Sequence, residues 1–459
     1  MGTTTPRVCI VGAGSSGIAA CQVMQANDID FDCFERGSNV GGNWRYDNDN
    51  GMSSAYKSLF INTSRRMMEY RSFPMPEDYP DYPHHTQIAK YFDDFVDHFG
   101  LRERITFRHE VQRVEPIDGA WQVKVRSIDT GETRTEVYDA VIVANGHHWL
   151  PRYPEPPFEG QDTFAGEQLH SHYYREPDER FVDRNVLVLG FGNSAVDIAC
   201  ESSRVSRITY LAMRRGAWVI PKYIEGKPVD QLQNEFTSRL PFRLQRWYLQ
   251  RLIIKTQGRM EDYGLPKPDH KLGEAHPTIS SELLPRIGHG RIKPKPNIAR
   301  IEGRTVHFVD GTSEEVDTIV WCTGYQISFP FLPREVIDPK DNRVRLYRHV
   351  VHPDRPGLYF IGLVQPLGAI MPIAEAQSEW IADLLLGRCA LPDRERMWRE
   401  IERDERKMRK RYVASPRHTI QVDFYPYMRT IRRERRRRPR RRTSGAIAAP
   451  RLQTQGAQP

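Results

Sequence analysis

Glu35 and Arg214 have opposite charges, and each closes a run that reads strand, glycine-rich turn, helix, strand. In the first run, residues 7–36, Gly12 permits a tight turn, Gly14 lets the backbone approach a pyrophosphate, and Gly17 lets helix and strand pack closely. Ser15 and Ser16 open the helix, where free N–H groups favour a phosphate. In the second run, residues 185–214, Gly190 and Gly192 take the first two roles and Ala195 replaces the third glycine. Asn193, Ser194 and Asp197 fall in the same opening turn. One GxGxxG run is weak evidence of a nucleotide site, but two with the correct flanking strands are strong.

The residues that end the second strands distinguish the two ligands. Glu35, 23 positions after Gly12, can accept hydrogen bonds from the ribose of an adenosine without a 2′-phosphate, which suits FAD or NAD. Arg214, 24 positions after Gly190 and followed by Arg215, offers a guanidinium that matches a 2′-phosphate, so the second unit reads as an NADP site. FAD and NADPH in one chain imply hydride transfer from nicotinamide to flavin. No cysteine pair lies near the first turn or the GGNW stretch at 41–44, which disfavours disulfide reduction and leaves a quinone, another diffusible oxidant or dioxygen as acceptor.

Positioning two such units takes a long chain. The 459 residues suit two or three domains, and 39% hydrophobic with 27% charged residues is an ordinary globular composition. No apolar run approaches the roughly 18 residues of a membrane span. The six cysteines are scattered with no zinc spacing, so reduced thiols, a cytoplasmic location and no metal are expected. The net charge of +8 is local: residues 431–459 hold ten Arg and one Glu, a net +9, so residues 1–430 carry −1. The body therefore offers no basic footprint for specific nucleic-acid binding, and residues 431–459 read as a disordered Arg-rich tail.

Between the two units, Phe164, Gly166, His170 and Tyr174 fit the pattern FxGxxxHxxxY. With GGNW, Asn62-Thr63-Ser64, GHH at 146–148, GFGNSAVD at 190–197, RRGAW at 214–218 and WCTGY at 321–325, the chain resembles the flavin-containing monooxygenases over roughly residues 7–430. The resemblance implies a soluble, microbial type of dimethylaniline-type enzyme. Such an enzyme forms a flavin C(4a)-hydroperoxide and passes one oxygen atom to an amine nitrogen or a sulfide sulfur, with a small molecule and dioxygen as partners and a homodimer as one assembly to consider. Asn62 is the catalytic candidate. Asn43, Trp44, Thr63 and Gln377 join the glycine-turn residues, Glu35, Arg214 and Arg215 as cofactor candidates. The fingerprint residues read as a junction coupling NADPH binding to the flavin domain.

Two features depart from the family pattern. Asn145 stands where the linker usually has Thr or Ser, and the Arg-rich tail stands where animal members carry a membrane helix. A Baeyer-Villiger monooxygenase acting on ketones is the alternative. That group's fingerprint ends in Trp followed by Pro or Asp, and this chain has Tyr174 and Arg175.

The implied fold is α/β, with two Rossmann-like dinucleotide-binding domains. An FAD domain at 1–163 and 326–430 is interrupted by an NADPH domain at 164–325, with linkers near 144–147 and 322–325. Residues 219–300 read as an irregular excursion, and 88–99 as a helix with a packing stripe.

Overall fold

The computed structural model describes residues 5–412 and 419–438. Two five-stranded parallel sheets organise it. The first places Leu358–Phe360, Ala140–Val143, Arg7–Val11, Asp30–Phe34 and Ile105–Thr106 side by side in that order. The second runs Ile292–Lys295, Ile208–Ala212, Asn185–Leu189, Thr318–Trp321 and Glu167–His170. These strands are near-continuous apolar runs because both faces of a parallel sheet are covered. Val8, Cys9 and Ile10, like Val186, Leu187 and Val188, are fully buried.

The second sheet draws only on residues 167–321, while the first draws on chain from either side of that span. The crossings lie together, with Leu150–Pro151 pairing antiparallel with Tyr325–Gln326. A three-stranded antiparallel sheet, His109–Ile117, Ala120–Ser127 and Thr133–Tyr138, also belongs to the first part.

The helix His85–His98 buries Ile88, Tyr91, Phe92, Phe95 and Val96 against the first unit, which makes the aromatic stripe core. Helix Met371–Leu385 packs on the first glycine helix, Ser15–Ala26.

Two expectations change. The span 219–300 is more ordered than its composition suggests: it contains the 16-residue helix Phe242–Gln257 and ends in the edge strand of the second sheet. Its apolar signal is hard to see because Leu244, Trp247 and Tyr248 are exposed.

The Arg-rich segment does not begin as a tail. Helix Phe424–Arg435 runs through residue 430 and buries Phe424, Tyr427, Met428 and Ile431 at helical spacing. Its charged residues are engaged as well. Glu434, 1% exposed, accepts from Arg348 Nε at 3.1 Å and from Tyr347 at 2.8 Å, and Arg435 pairs with Asp383 at 2.7 Å and with Glu379. The described fold ends at 438, and the rest of the Arg-rich segment, 439–459, lies outside the described residues.

Candidate active site

Each glycine turn sits at the C-terminal end of its sheet's central strand, the position where open parallel sheets receive ligands. Gly12, at φ +96°, donates its N–H to Phe34 O at 2.8 Å, and a Cβ on Gly17 would lie 1.8 Å from Gly12 O. That contact fixes both as glycine. In the second turn a Cβ on Gly190 would stand 2.5 Å from Cys322 O. Ala195 is accommodated there, 1% exposed.

Neither glycine helix has a side-chain cap. Gly14 and Gly192 occupy the N-cap positions, and the Asn193 carboxamide oxygen accepts from Ile279 N at 2.9 Å instead of capping its own helix. The first-turn N–H groups thus remain as donors for a phosphate. This uncapped, glycine-lined geometry at both turns fits two dinucleotides.

Around the first turn, Glu35 is 5% exposed. It accepts from Ala13 N and Gly37 N, each at 2.7 Å, and from Asn50 Nδ2 at 3.3 Å. Three contacts leave a carboxylate with acceptor capacity for a ribose hydroxyl. Gly14 and Gly42 approach closely, with a Cβ on Gly42 only 3.2 Å from Gly14 Cα. Behind them, Asn43 Oδ1 accepts from Ser54 N at 2.8 Å and Ser54 Oγ at 2.9 Å, while Trp44 packs on the core. Ser15 offers its carbonyl to Tyr70 Oη at 2.5 Å.

At the second turn Arg214 is exposed and has no ion pair recorded among the described residues. The Arg215 guanidinium lies 3.9 Å from Asp269. Arg152, absent from the sequence reading, faces Arg214: burial and that neighbouring charge both lower its pKa, and its guanidinium donates to Thr323 O at 3.0 Å. It comes from the linker strand, so no local motif announces it.

Asn62 lies on a bend, half-buried, in a segment that joins the two units. Its carboxamide makes no hydrogen bond recorded among the described residues. The backbone on either side is clamped by the excursion, with Lys222 Nζ donating to Ile61 O at 3.3 Å, Ser64 N to Asp230 Oδ2 at 2.6 Å, and Gln231 Nε2 to Ser64 Oγ at 3.0 Å. Thr63 is also half-buried. The same segment touches the second glycine helix, where Tyr56 donates to Asp197 Oδ2 at 2.5 Å and Ser58 to Glu201 Oε2 at 2.8 Å.

The fingerprint completes this seam. Tyr174, fully buried, donates to Glu201 Oε2 at 2.9 Å and packs edge-on against Tyr56. Arg175 reaches across to Asp47 at 2.8 Å and Ser53 O at 3.2 Å. Burial lowers the His170 pKa to about 4, so its ring is neutral at pH 7 and acts as part of the junction, accepting from His172 N at 3.1 Å.

Two cofactor candidates are also engaged within the protein. The Asp197 carboxylate is engaged by Tyr56 across the seam and bridges the units. Gln377 is fully buried and uses both ends of its amide within the protein, accepting from Gly362 N at 2.9 Å and donating to Tyr427 Oη at 2.7 Å. Neither polarity is legible from sequence, because the partners lie 141 and 50 residues away.

The Asp197 bridge sets a pH expectation. Burial pushes its carboxyl up to about 6, with the Tyr56 hydrogen bond opposing the shift. The folded value lies above the unfolded one, about 3.9, so the folded state takes up this proton first. Stability from this group therefore rises as pH falls from about 6 to about 4 and levels off below. Asp197→Asn should flatten the pH dependence of the melting temperature in that window, and an unchanged slope would count against a carboxyl raised by burial.

A family model described as flavin-binding monooxygenase-like matches residues 5–453. The chain belongs to that family. Flavin-containing monooxygenase 5 of Oryctolagus cuniculus is 36% identical over 439 residues, covering 93% of this chain and 82% of the relative. Flavin-containing monooxygenase 2 of Homo sapiens is 34% identical over 437 residues, covering 92% and 81%. Among solved structures, S-allyl-L-cysteine S-oxygenase from Allium sativum superposes with a TM-score of 0.72 at 28% identity, covering 95% of this chain and 89% of that one. Cyclohexanone monooxygenase shares the fold, with a TM-score of 0.68, but only 17% of the sequence. As a member of that family, the chain is a flavin-binding monooxygenase-like protein. Among the described residues no helix is long and apolar enough to cross a membrane, and no cluster could hold a metal ion.

Proposed function

We propose that this flavin monooxygenase oxygenates soft nucleophiles, an amine nitrogen or a sulfide sulfur, in small molecules, and that Asn62 is its catalytic residue. The single observation that carries the reading is the seam: the half-buried Asn62 lies on a segment held by Lys222 and Asp230, and the same stretch of chain meets the second glycine helix through Tyr56 and Ser58. The substrate class is supported by the S-oxygenase from Allium sativum and by the dimethylaniline monooxygenase 2 of Pan troglodytes, 34% identical over 437 residues. The six free cysteines support a cytoplasmic location.

When bound, reduced FAD activates dioxygen and supplies the transferred oxygen atom. The residues do the rest. The first-turn N–H groups and Glu35 would hold the flavin nucleotide, with Gly12, Gly14, Ser15, Ser16 and Gly17 in its turn and Gly41 to Trp44 beside it. The second turn, Gly190 to Ala195, would hold NADPH, with Arg214, Arg215 and Arg152 available to its 2′-phosphate. Asn62 presents an amide that can donate and accept without titrating. Tyr56, Tyr174 and Arg175 keep the units closed against water. The balance is one dioxygen, one NADPH and one proton in, with one oxygen atom leaving in product and the other in water.

The test is oxygenated product per NADPH consumed across a thioether, a tertiary amine and a cyclic ketone. N-oxide or sulfoxide near unit ratio supports the reading, whereas ester from the ketone alone would favour the Baeyer-Villiger alternative. Arg214→Ala should weaken NADPH by about 1.5–3 kcal/mol and leave NADH nearly unchanged, as expected for a lost charge-assisted hydrogen bond. Equal losses for both cofactors would remove Arg214 from the phosphate site.

A further inference from the structure

The proposed reaction leaves unexplained a buried polar chain under the C-terminal helix Phe424–Arg435. Tyr427 donates to Arg348 O at 2.6 Å and accepts from Gln377 Nε2 at 2.7 Å; Gln377 Oε1 in turn accepts the N–H of Gly362 at 2.9 Å. Gln377 is fully buried and Tyr427 8% exposed, so little water can replace any of these partners.

The chain ends at the first glycine helix. Gly362 sits at φ +71°, and a Cβ there would lie 2.1 Å from Ser16 Oγ. Its neighbour Ile361 donates to Val143 O at 3.0 Å, tying the same backbone to the first sheet. Three hydrogen bonds in series thus run from the Arg348 carbonyl, through Tyr427 of the C-terminal helix and Gln377, to the wall of the turn that carries uncapped phosphate donors.

The helix is anchored at its far end by Glu434 on Arg348 and Tyr347, and Arg348 also pairs with Glu400 and with Asp404 at 2.5 Å. Because Arg348 supplies both the carbonyl that Tyr427 engages and the guanidinium that Glu434 holds, the two contacts fix the helix at one register. Packing alone would not require this. Phe424, Met428 and Ile431 already bury the apolar face, yet a polar relay is maintained in their midst.

We propose that Tyr427 is a positioning residue for FAD: through Gln377 it holds Gly362 against Ser16, and the C-terminal helix thereby sets how tightly the first glycine turn retains the flavin nucleotide. This rests on assigning the first unit to FAD. Tyr427 touches no cofactor in this scheme, since its effect passes through Gln377 and the Gly362 backbone.

The experiment measures FAD dissociation from reconstituted apoprotein by flavin fluorescence, alongside 2′,5′-ADP affinity at the second unit and the apoprotein melting temperature. Tyr427→Phe keeps the ring and removes only Oη. FAD binding should weaken roughly tenfold, the scale of one buried hydrogen bond whose partners are left unpaired, while 2′,5′-ADP binding stays at the wild-type value. Gln377→Met should weaken FAD at least as much, and the double variant should be no worse than Gln377→Met, because the relay is already cut.

Unchanged FAD affinity in a folded Tyr427→Phe protein overturns the relay alone. So do equal losses of FAD and 2′,5′-ADP, which would mean general loosening, and so do additive effects in the double variant. If Tyr427→Phe does not fold, Gln377→Met decides on the same two affinities. Wild-type protein that takes up no FAD would instead overturn the FAD assignment itself.

Discussion

Asn62→Ser is expected to leave FAD bound and reducible by NADPH while the ratio of oxygenated product to NADPH consumed collapses and hydrogen peroxide appears in its place. Neither glycine turn is touched, and the clamps on Ile61 O, Ser64 N and Ser64 Oγ involve neighbouring residues and not the Asn62 amide. The variant removes the Asn62 carboxamide, which is half-buried and makes no hydrogen bond among the described residues. A preorganised hydrogen-bond donor in a water-excluded site is typically worth about 2.7–4 kcal/mol, or a factor of roughly 100–1,000 in the step it serves. An effect of that size on oxygen transfer alone would let the competing loss of peroxide dominate turnover. The measurement pairs product and peroxide yields with the rate of flavin reduction. A wild-type product ratio in Asn62→Ser would take Asn62 out of the active site, and slowed reduction with an intact ratio would move its role to the nicotinamide.

The two units could be read from sequence because a nucleotide turn imposes local demands. Gly12 must adopt positive φ and Gly17 must give way to Gly12 O, so residue type and spacing carry the geometry directly. Parallel strands add continuous apolar runs, which made Arg7–Val11 and Asn185–Leu189 visible on either side of the turns. The seam between the units has no such local code. Tyr56 meets Asp197, Ser64 meets Asp230 and Gln231, and Arg152 comes up beside Arg214, each through chain folded back from far away. A carboxylate or an amide near a motif therefore carries no sign in the sequence of the protein partner it meets, as with Asp197 and Gln377. The helix Phe242–Gln257 is hard to read for a different reason, since several of its large apolar residues face outward and blur the periodicity.

A charge run places the C-terminal boundary at 430, and an apolar packing signal continues beneath it. Phe424, Tyr427, Met428 and Ile431 stand at i, i+3, i+4 and i+7, an apolar stripe that continues one turn into the Arg-rich segment. Glu434, the lone acid among ten arginines, proves to be the buried partner of Arg348.

Two truncations therefore should differ sharply. Ending the chain at Thr430 removes the fully buried Ile431 and Glu434, and leaves Arg348, 8% exposed, short of one carboxylate. Removing one partner of a buried ion pair costs about 3–5 kcal/mol, and losing a buried Ile side chain adds about 1.5–3 kcal/mol. Glu400 and Asp404 still pair with Arg348, which places the expected cost at the lower end of that sum. The melting temperature should fall by several degrees or more, and flavin content should fall with it as the helix detaches from Gln377. Ending the chain at Arg438 keeps every contact described for this helix, including the hydrogen bond from Ala390 N to Arg437 O at 3.0 Å that pins its end. That protein should match the full chain in melting temperature, flavin content and NADPH oxidation. Indistinguishable behaviour of the two truncations would show that the helix end carries no load, and Glu434→Gln in the full-length chain would then be expected to be silent as well.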